Sequence, residues 1–138
     1  MPRPLAFLRR MRIVHRADFE RAYRQGLRVR GSILVVVALE NELTHARLGL
    51  SVGRVIWRDA VDRNRVRRIF REAFRLAQHE LPPGVDLILI PAAPKLRPVL
   101  AATQSELIEL AATAARKLAG RRAGRARAAE ELPGKSGP

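Results

Sequence analysis

Residues 59–75, DAVDRNRVRRIFREAFR, are the segment that most constrains the fold of this chain. At 3.6 residues per turn, its apolar side chains gather on one side of a helix and its arginines gather on an adjoining side. The apolar stripe consists of Val66, Ile69, Phe70, Ala73, Phe74 and Ala77. The cationic side consists of Arg63, Asn64, Arg67, Arg68, Arg71 and Arg75. Such a helix must bury one side against a second layer, and it presents the other side to an anion.

The whole chain is strongly basic. Its 138 residues include 27 Lys and Arg against 13 Asp and Glu, which gives a formal net charge of +14, and 24 of the 27 are arginine. Arginine pairs bidentately with phosphate and stacks on bases, and a small protein of this charge typically meets a polyanion. The absence of cysteine excludes disulfides and thiolate metal sites. No run approaches the roughly 20 apolar residues of a membrane span, and we expect the chain in the cytoplasm.

The segments predict the order α-β-β-β-α-β-α. Helices are predicted at residues 15–25, 59–79 and 99–118, and strands at 27–30, 32–39, 46–52 and 85–90. The third strand can return antiparallel to the second after a polar turn. This order indicates an α+β fold, a two-layer sandwich with a small mixed sheet. The general preference for right-handed crossovers would make the strand–helix–strand passage from residue 46 to residue 90 right-handed.

The predicted RNA-binding α+β domain covers residues 15–118. Residues 1–14 form a basic N-terminal arm. Residues 119–138 contain mainly Arg, Ala, Gly and Pro with few apolar anchors, and they predict a disordered basic tail.

The arginine side of the helix at 59–79 is the first candidate binding surface. Exposed charged helices usually mix signs, yet Arg63, Arg67 and Arg71 follow one another at i,i+4 spacing. Their repulsion costs on the order of a few tenths of a kcal/mol per pair, and an anionic partner explains why it is tolerated. Asn64 within this side can hydrogen-bond a sugar, a phosphate or a base edge.

Two aromatic residues, Phe19 and Tyr23, lie one turn apart on the first predicted helix, among several arginines. Aromatic side chains at this spacing either pack in a core or form a stacking platform for bases, flanked by phosphate contacts. The residues alone leave both interpretations open.

No catalytic residue and no metal ligand is predicted. The histidines at 15, 45 and 79 are scattered, and the chain contains neither a phosphate-binding glycine loop nor a nucleophile with its base at suitable spacing. The residues therefore favour an RNA-binding protein. A ribosomal or ribosome-assembly protein without a catalytic partner is the alternative.

Several motifs resemble the bacterial ribonuclease P protein family. RLGLSV at 47–52, followed by AVDRNRVRRIFREAFR at 60–75, is similar to the family signature. DFERAYRQG at 18–26 resembles the family's first helix, and VDLILI at 85–90 resembles its last strand. The resemblance spans about residues 12–118.

This resemblance implies a subunit of an endoribonuclease that removes the 5′ leader of precursor tRNA, with catalysis in an RNA subunit. It implies Mg²⁺ held mainly by that RNA, with no ion bound tightly by the protein. The expected partners are the catalytic RNA and precursor tRNA, with a monomeric protein in a 1:1 ribonucleoprotein. The family's crossover is left-handed, which replaces the general expectation above.

The resemblance also implies residue roles. The residues expected to contact the catalytic RNA are Arg63, Asn64, Arg65, Arg67, Arg68 and Arg71. The residues expected to bind the leader are Arg12, Phe19, Tyr23 and Arg28.

Two segments depart from the family pattern. Before the arginine helix the family usually has a Ser-Lys-Lys-like run and a glycine, whereas this chain has GRVIWRD, with Trp57 or Arg58 where glycine is expected. We expect this loop to bend differently, and no RNA contact is assigned to Arg54. After the last strand the family commonly has an arginine, whereas residues 91–93 are Pro-Ala-Ala.

Overall fold

The computed structural model describes residues 5–131, which form a four-stranded sheet with three α-helices packed on it. The strands are β1 (Leu27–Arg30), β2 (Leu34–Glu40), β3 (Arg47–Leu50) and β4 (Val85–Pro91). The helices are α1 (Arg16–Gln25), α2 (Ala60–Ala77) and α3 (Leu100–Glu131), with short 3-10 turns at Arg9–Met11 and Gln78–Glu80. The α+β class and the predicted element order are confirmed. Across residues 5–131, no helix combines the length and the apolar character needed to cross a bilayer.

The sheet is mixed, with the strand order β1-β2-β4-β3. β2 pairs antiparallel with both β1 and β4, and β3 pairs parallel with β4. β3 does run opposite to β2, as the sequence predicts, but β4 lies between them. The reason is that VDLILI is apolar on both faces, and such a strand is most stable in the centre of a sheet with layers on either side. The left hand of the β3–α2–β4 crossover stays a prediction from the resemblance.

The core lies between the sheet and the layer formed by α2 and α3. Alternate side chains of β2, namely Leu34, Val36 and Ala38, point into this core, together with the buried side of α2. Val66, Phe70, Ala73, Phe74 and Ala77 are buried as predicted, and Ile69 is partly buried against the same core. The opposite sheet face carries α1, which packs on Val37, Leu39 and Ile88. The fully packed sandwich is therefore the sheet with α2 and α3, and α1 covers only part of the second face.

α3 extends well past the predicted end of the domain. The sequence predicts a helix ending at residue 118 and a disordered tail from residue 119, but the helix continues to Glu131. Ala and Arg are good helix formers, and extending a helix that is already nucleated on a core costs little even without apolar anchors. The part of that prediction concerning residues 132–138 lies outside the described residues.

The N-terminal arm packs on α2 at residues 5–7 and along the open edge of β3 at residues 12–13. Arg12 forms a parallel bridge with Leu48, and the buried Ile13 donates its backbone N–H to the Leu48 carbonyl at 2.9 Å. Arg75 donates to the Leu5 carbonyl at 2.7 Å, and Gln78 donates to the Ala6 carbonyl at 2.9 Å. The described part of the arm is thus tied to both α2 and the sheet.

Candidate nucleic-acid interface

The outer side of α2 carries the exposed cations that the sequence predicts. Arg65, Arg68 and Arg71 are exposed, as is Asn64. None of these three arginines takes part in the ion pairs formed among the described side chains. Because the other side of α2 is locked into the core, these charges are held in a fixed register.

Arg63 and Arg67 have a different local role, since both are half-buried and bind the loop that precedes α2. Nη1 of Arg63 donates to the carbonyls of Trp57 and Arg58 at 2.9 and 2.6 Å. Arg67 donates to the Val52 carbonyl at 2.8 Å and to Oδ1 of Asn64 at 2.9 Å. These carbonyl contacts offset the repulsion expected between successive arginines. Whether the two residues also contact RNA stays a prediction.

Arg75, which the helical wheel places beside this group, is held by the protein itself. It forms an ion pair with Glu72, and this pair lowers the pKa of Glu72 and raises that of Arg75. With its further bond to the Leu5 carbonyl, Arg75 anchors the N-terminal arm on α2.

The loop at residues 53–58 is fixed by Trp57, a residue to which sequence reasoning assigned no role. Its indole Nε1 donates to the Leu96 carbonyl at 2.9 Å, and the Arg97 guanidinium lies 4.9 Å from its ring centroid. The Lys95 N–H donates to the Ile56 carbonyl at 2.8 Å. The atypical GRVIWRD sequence therefore joins two loops. The only signal for this contact was a lone tryptophan in a loop.

The contact between these two loops adds cations beside the start of α2. Arg54, Arg58 and Arg63 line a concave surface that encloses an open pocket of about 720 Å³. Of these residues, Arg54 and Arg58 are exposed. Lys95 and Arg97, on the adjoining loop, are exposed as well. The basic surface is therefore wider than the set of residues predicted from α2 alone.

A second candidate surface lies at the edge of β3, where α1 crosses the sheet. Phe7, Arg12, Phe19, Gly49 and Arg71 are among the residues that line a groove of about 340 Å³. A Cβ atom at position 49 would lie only 2.8 Å from Cε1 of Phe19, so glycine allows the ring to lie directly on the strand. The guanidinium of Arg12 lies 4.8 Å from the Phe7 ring centroid. The groove thus combines aromatic rings with arginines from the arm and from α2.

Tyr23 and Arg28 form a neighbouring pair, separate from the groove lining. Tyr23 is 38% exposed, and the Arg28 guanidinium lies 5.9 Å from its ring centroid. Of the four predicted leader-binding residues, Arg12 and Phe19 therefore share one groove, and Tyr23 and Arg28 share an adjacent site. Phe19 is partly buried against the apolar residues between α1 and the sheet, whereas Tyr23 is more exposed, and a role of either ring in stacking on bases stays a prediction.

A buried ion pair positions α1 on the sheet. The fully buried carboxylate of Asp86 accepts from Nε and Nη2 of Arg47, each at 2.7 Å, and from the Asn41 amide at 2.9 Å. Arg47 also reaches Asp18 of α1 at 3.5 Å. Hydrogen bonding to Asp86 raises the pKa of Arg47 above its ordinary value. This network links β3, β4 and the first turn of α1, and it orients the helix that carries Phe19 and Tyr23.

The chain is similar in sequence to ribonuclease P proteins over most of its length. The family model for Ribonuclease P matches residues 7–115. The ribonuclease P protein component of Photorhabdus laumondii is 37% identical over 86 residues, which cover 62% of this chain and 72% of the relative. That of Histophilus somni is 40% identical over 86 residues, which cover 62% and 71%.

Solved structures agree with the sequence comparisons. The RNase P protein from Thermotoga maritima matches with a TM-score of 0.65 and 30% identity, covering 72% of this chain and 94% of that chain. The Staphylococcus aureus RNase P protein matches with a TM-score of 0.63 and 33% identity, covering 72% and 91%. The family match includes the whole sheet, the arginine side of α2 and both aromatic residues of α1. This chain belongs to the ribonuclease P protein family.

Proposed function

We propose that this chain is the RNA-binding subunit of a ribonuclease P ribonucleoprotein, in which a catalytic RNA removes the 5′ leader of precursor tRNA. Family membership supports a subunit of an endoribonuclease and favours it over a ribosomal protein. The observation that carries the proposal is the outer side of α2. There Arg65, Arg68 and Arg71 are exposed on a helix whose other side is fixed in the core.

The outer side of α2 is proposed to dock the catalytic RNA. The rigid helix fixes the backbone positions from which the guanidinium groups reach phosphate oxygens, and these cations reduce repulsion between two RNA molecules. Asn64 adds a group that can accept from a ribose hydroxyl or pair with a base edge. The concave surface at Arg54 and Arg58 extends this docking area beyond the start of α2.

The groove at Phe19 and the neighbouring Tyr23–Arg28 site are proposed to bind the leader. An unpaired strand offers stacking faces and phosphates, and these sites supply aromatic rings with arginines beside them. Contacts with the leader would favour precursor over mature tRNA, because mature tRNA lacks the bound segment.

Catalysis and its Mg²⁺ are assigned to the RNA. Within residues 5–131, no three His, Asp or Glu side chains come together in a group that could share a metal ion. The proposed assembly is one protein with one catalytic RNA, acting in the cytoplasm. Family membership is the support for this assignment.

A cleavage assay tests the proposal. Precursor tRNA is incubated with the protein alone, with the catalytic RNA alone at low Mg²⁺, and with both. We expect efficient release of the leader only with both. Cleavage by the protein alone would indicate a self-sufficient nuclease. If the protein does not increase cleavage by the catalytic RNA, a ribosomal or ribosome-assembly protein becomes the better assignment. Mature tRNA serves as the competitor that measures the contribution of the leader.

A further inference from the structure

The last part of α3 projects past the end of the sheet. Near its start, Glu106 accepts from the backbone N–H of Leu34 at 2.7 Å, and further along Arg122 pairs with Glu40 at the end of β2. The helix from residue 106 to residue 122 rises about 24 Å, close to the roughly 20 Å length of β2, so α3 runs along this strand. Residues 123–131 therefore extend about 13 Å beyond it. We call residues 119–131 the α3 extension.

The α3 extension is basic, and it contributes nothing to the core. Leu118 is the last buried residue of α3, and residues 119–130 are exposed or half-exposed. Between Glu109 and Glu130 the chain has no acidic residue and six cations. These cations are Arg116, Lys117, Arg121, Arg122, Arg125 and Arg127. The side of α3 that is apolar from Leu107 to Leu118 continues, three and four residues after Leu118, with Arg121 and Arg122.

Local carboxylates do not account for these arginines. Glu40 and Glu42 lie beneath Arg121, Arg122 and Arg125 in one shallow pocket. Among the described side chains, only Arg122 of these three forms an ion pair. Arg121 and Arg125 are spaced i,i+4 and repel each other, and Gly120 and Gly124 weaken the helix further. Folding stability therefore gives no reason for this charge pattern.

We propose that the α3 extension is a second phosphate-binding surface, and that it contacts the catalytic RNA. This inference rests on the proposed function. Residues 119–131 contain no aromatic residue, amide or hydroxyl, so the extension can bind phosphates but has little with which to read bases. The extension belongs to the α2–α3 layer, whereas Tyr23 and α1 lie on the opposite sheet face. The extension and α2 thus lie on the same side of the sheet, and a large RNA docked on α2 can contact both.

The extension lies at the other end of the sheet from the start of α2, where Arg65 and Arg68 are. α2 begins near Val52 and ends where the N-terminal arm crosses it, while α3 runs to the Glu40 end of β2. Since β3 and β4 are parallel to each other and antiparallel to β2, Val52 and Glu40 mark opposite ends of the sheet. The family match ends at residue 115, so the arginines of the extension lie outside the segment shared with the family. They would contact a different part of the RNA from Arg65 and Arg68.

The test compares full-length protein with the variant Arg121→Gln/Arg125→Gln/Arg127→Gln. Glutamine keeps a high helix propensity, so the circular dichroism spectrum and melting temperature should stay unchanged. The matched control is Arg9→Gln/Arg10→Gln/Arg16→Gln, which removes three exposed arginines elsewhere. Binding to the catalytic RNA is measured over a series of salt concentrations. Three lost phosphate contacts should reduce the slope of log K against log salt by about 2 to 3.

Each outcome of the salt-dependent binding experiment either supports or overturns the proposed role of the α3 extension. A slope reduced in the extension variant and retained in the control supports the proposal. An unchanged slope in the extension variant, or an equal reduction in both variants, overturns it. So does a variant that binds the catalytic RNA normally but weakens capture of precursor tRNA by the holoenzyme, because the surface would then belong to the substrate. If wild-type protein itself fails to bind the catalytic RNA, the proposed function is what fails.

A second pair of substitutions checks the helix. Gly120→Ala/Gly124→Ala should fit without a clash, because a Cβ at either position meets nothing within 4 Å. This variant keeps every charge and strengthens the extension as a helix. We expect its affinity for the catalytic RNA to equal or exceed that of wild type with an unchanged salt slope, and weaker binding would contradict a helical docking surface.

Discussion

The arginines of α2 fall into two groups that should respond differently to substitution. The outer group, Arg65, Arg68 and Arg71, is exposed and takes no part in the ion pairs among the described side chains. The inner pair, Arg63 and Arg67, donates hydrogen bonds to the loop before the helix and to Asn64. Replacing each group by glutamine separates RNA binding from loop anchoring.

For the outer triple variant, the expected loss is electrostatic. Each phosphate contact contributes about 0.7 to 0.9 to the slope of log K against log salt, so three substitutions should reduce the slope by about 2 to 3. Because these side chains lie outside the core, the melting temperature should move by no more than about 2 °C.

For the inner double variant, the expected loss is mainly structural. It removes four hydrogen bonds from a charged donor. Bonds of this kind contribute about 1.5 to 3 kcal/mol when well shielded. Solvent access at half-buried sites reduces this, and we expect a total cost of about 2 to 3 kcal/mol. This corresponds to a melting temperature lower by about 10 °C in a domain of this size.

The assay combines thermal unfolding by circular dichroism with salt-dependent binding of the catalytic RNA. The reasoning fails if the outer variant melts as early as the inner one, or if its salt slope equals that of wild type. It also fails if the inner variant is as stable as wild type, because the hydrogen bonds of Arg63 and Arg67 would then contribute nothing to the free energy of unfolding.

Three further substitutions test other parts of the structure. Tyr23→Leu should change stability by less than about 1 kcal/mol, because the ring is 38% exposed, and it should reduce the preference for leader-bearing over mature tRNA by about tenfold in competition cleavage. An unchanged preference would remove Tyr23 from the leader site. Gly49→Ala should cost about 1 to 3 kcal/mol in urea unfolding, because the new Cβ lies 2.8 Å from the Phe19 ring, and adding Phe19→Leu should restore part of that loss. Glu106→Gln should cost about 1 to 3 kcal/mol at neutral pH, because the carboxylate accepts from Ser32, Ile33 and Leu34. Burial raises the pKa of Glu106, but these hydrogen bonds together lower it below its ordinary value of 4.5, so wild type should lose this stability as the pH falls below about 4.5. The variant should lack that acid-dependent loss when unfolding is measured across pH, and an identical acid profile would contradict the role of the carboxylate.

The parts of the fold that depend on local spacing could be predicted from the sequence. The buried stripe of α2 follows from a repeat of 3.6 residues, and the strands at β2 and β4 follow from β-branched and apolar runs. Strand pairing depends on contacts far apart in the chain, so the position of β4 between β2 and β3 could not be inferred from any one segment. The predicted end of α3 at residue 118 is wrong because low apolar content does not by itself mean disorder. Ala and Arg extend a helix readily once the core has nucleated it, and α3 continues to Glu131.

The candidate site was predictable in its residue types and less so in its geometry. The helical wheel places Arg68 and Arg71 on the side away from the core, and both are exposed, whereas Arg65 is a candidate only through the family resemblance. The carbonyl contacts of Arg63 and Arg67 do not, because they require the conformation of the loop that precedes the helix. That conformation depends on the bond from Trp57 to Leu96, which joins residues 39 positions apart. Sequence patterns within one segment carry no information about such a bond.

α2 links the two proposed RNA surfaces through a single register. Phe70 and Phe74 are fully buried, which fixes the rotation of the helix about its axis. With that rotation fixed, Arg65 and Arg68 face outward, while Arg71 lines the groove that also contains Phe19. Arg71 therefore lies where the docking side of α2 meets the leader groove, and a guanidinium there can neutralise phosphates approaching from either RNA. The core packing of α2 thus sets the spacing between the proposed docking side and the proposed leader groove, which explains why the apolar stripe and the arginine side occur together in one short segment.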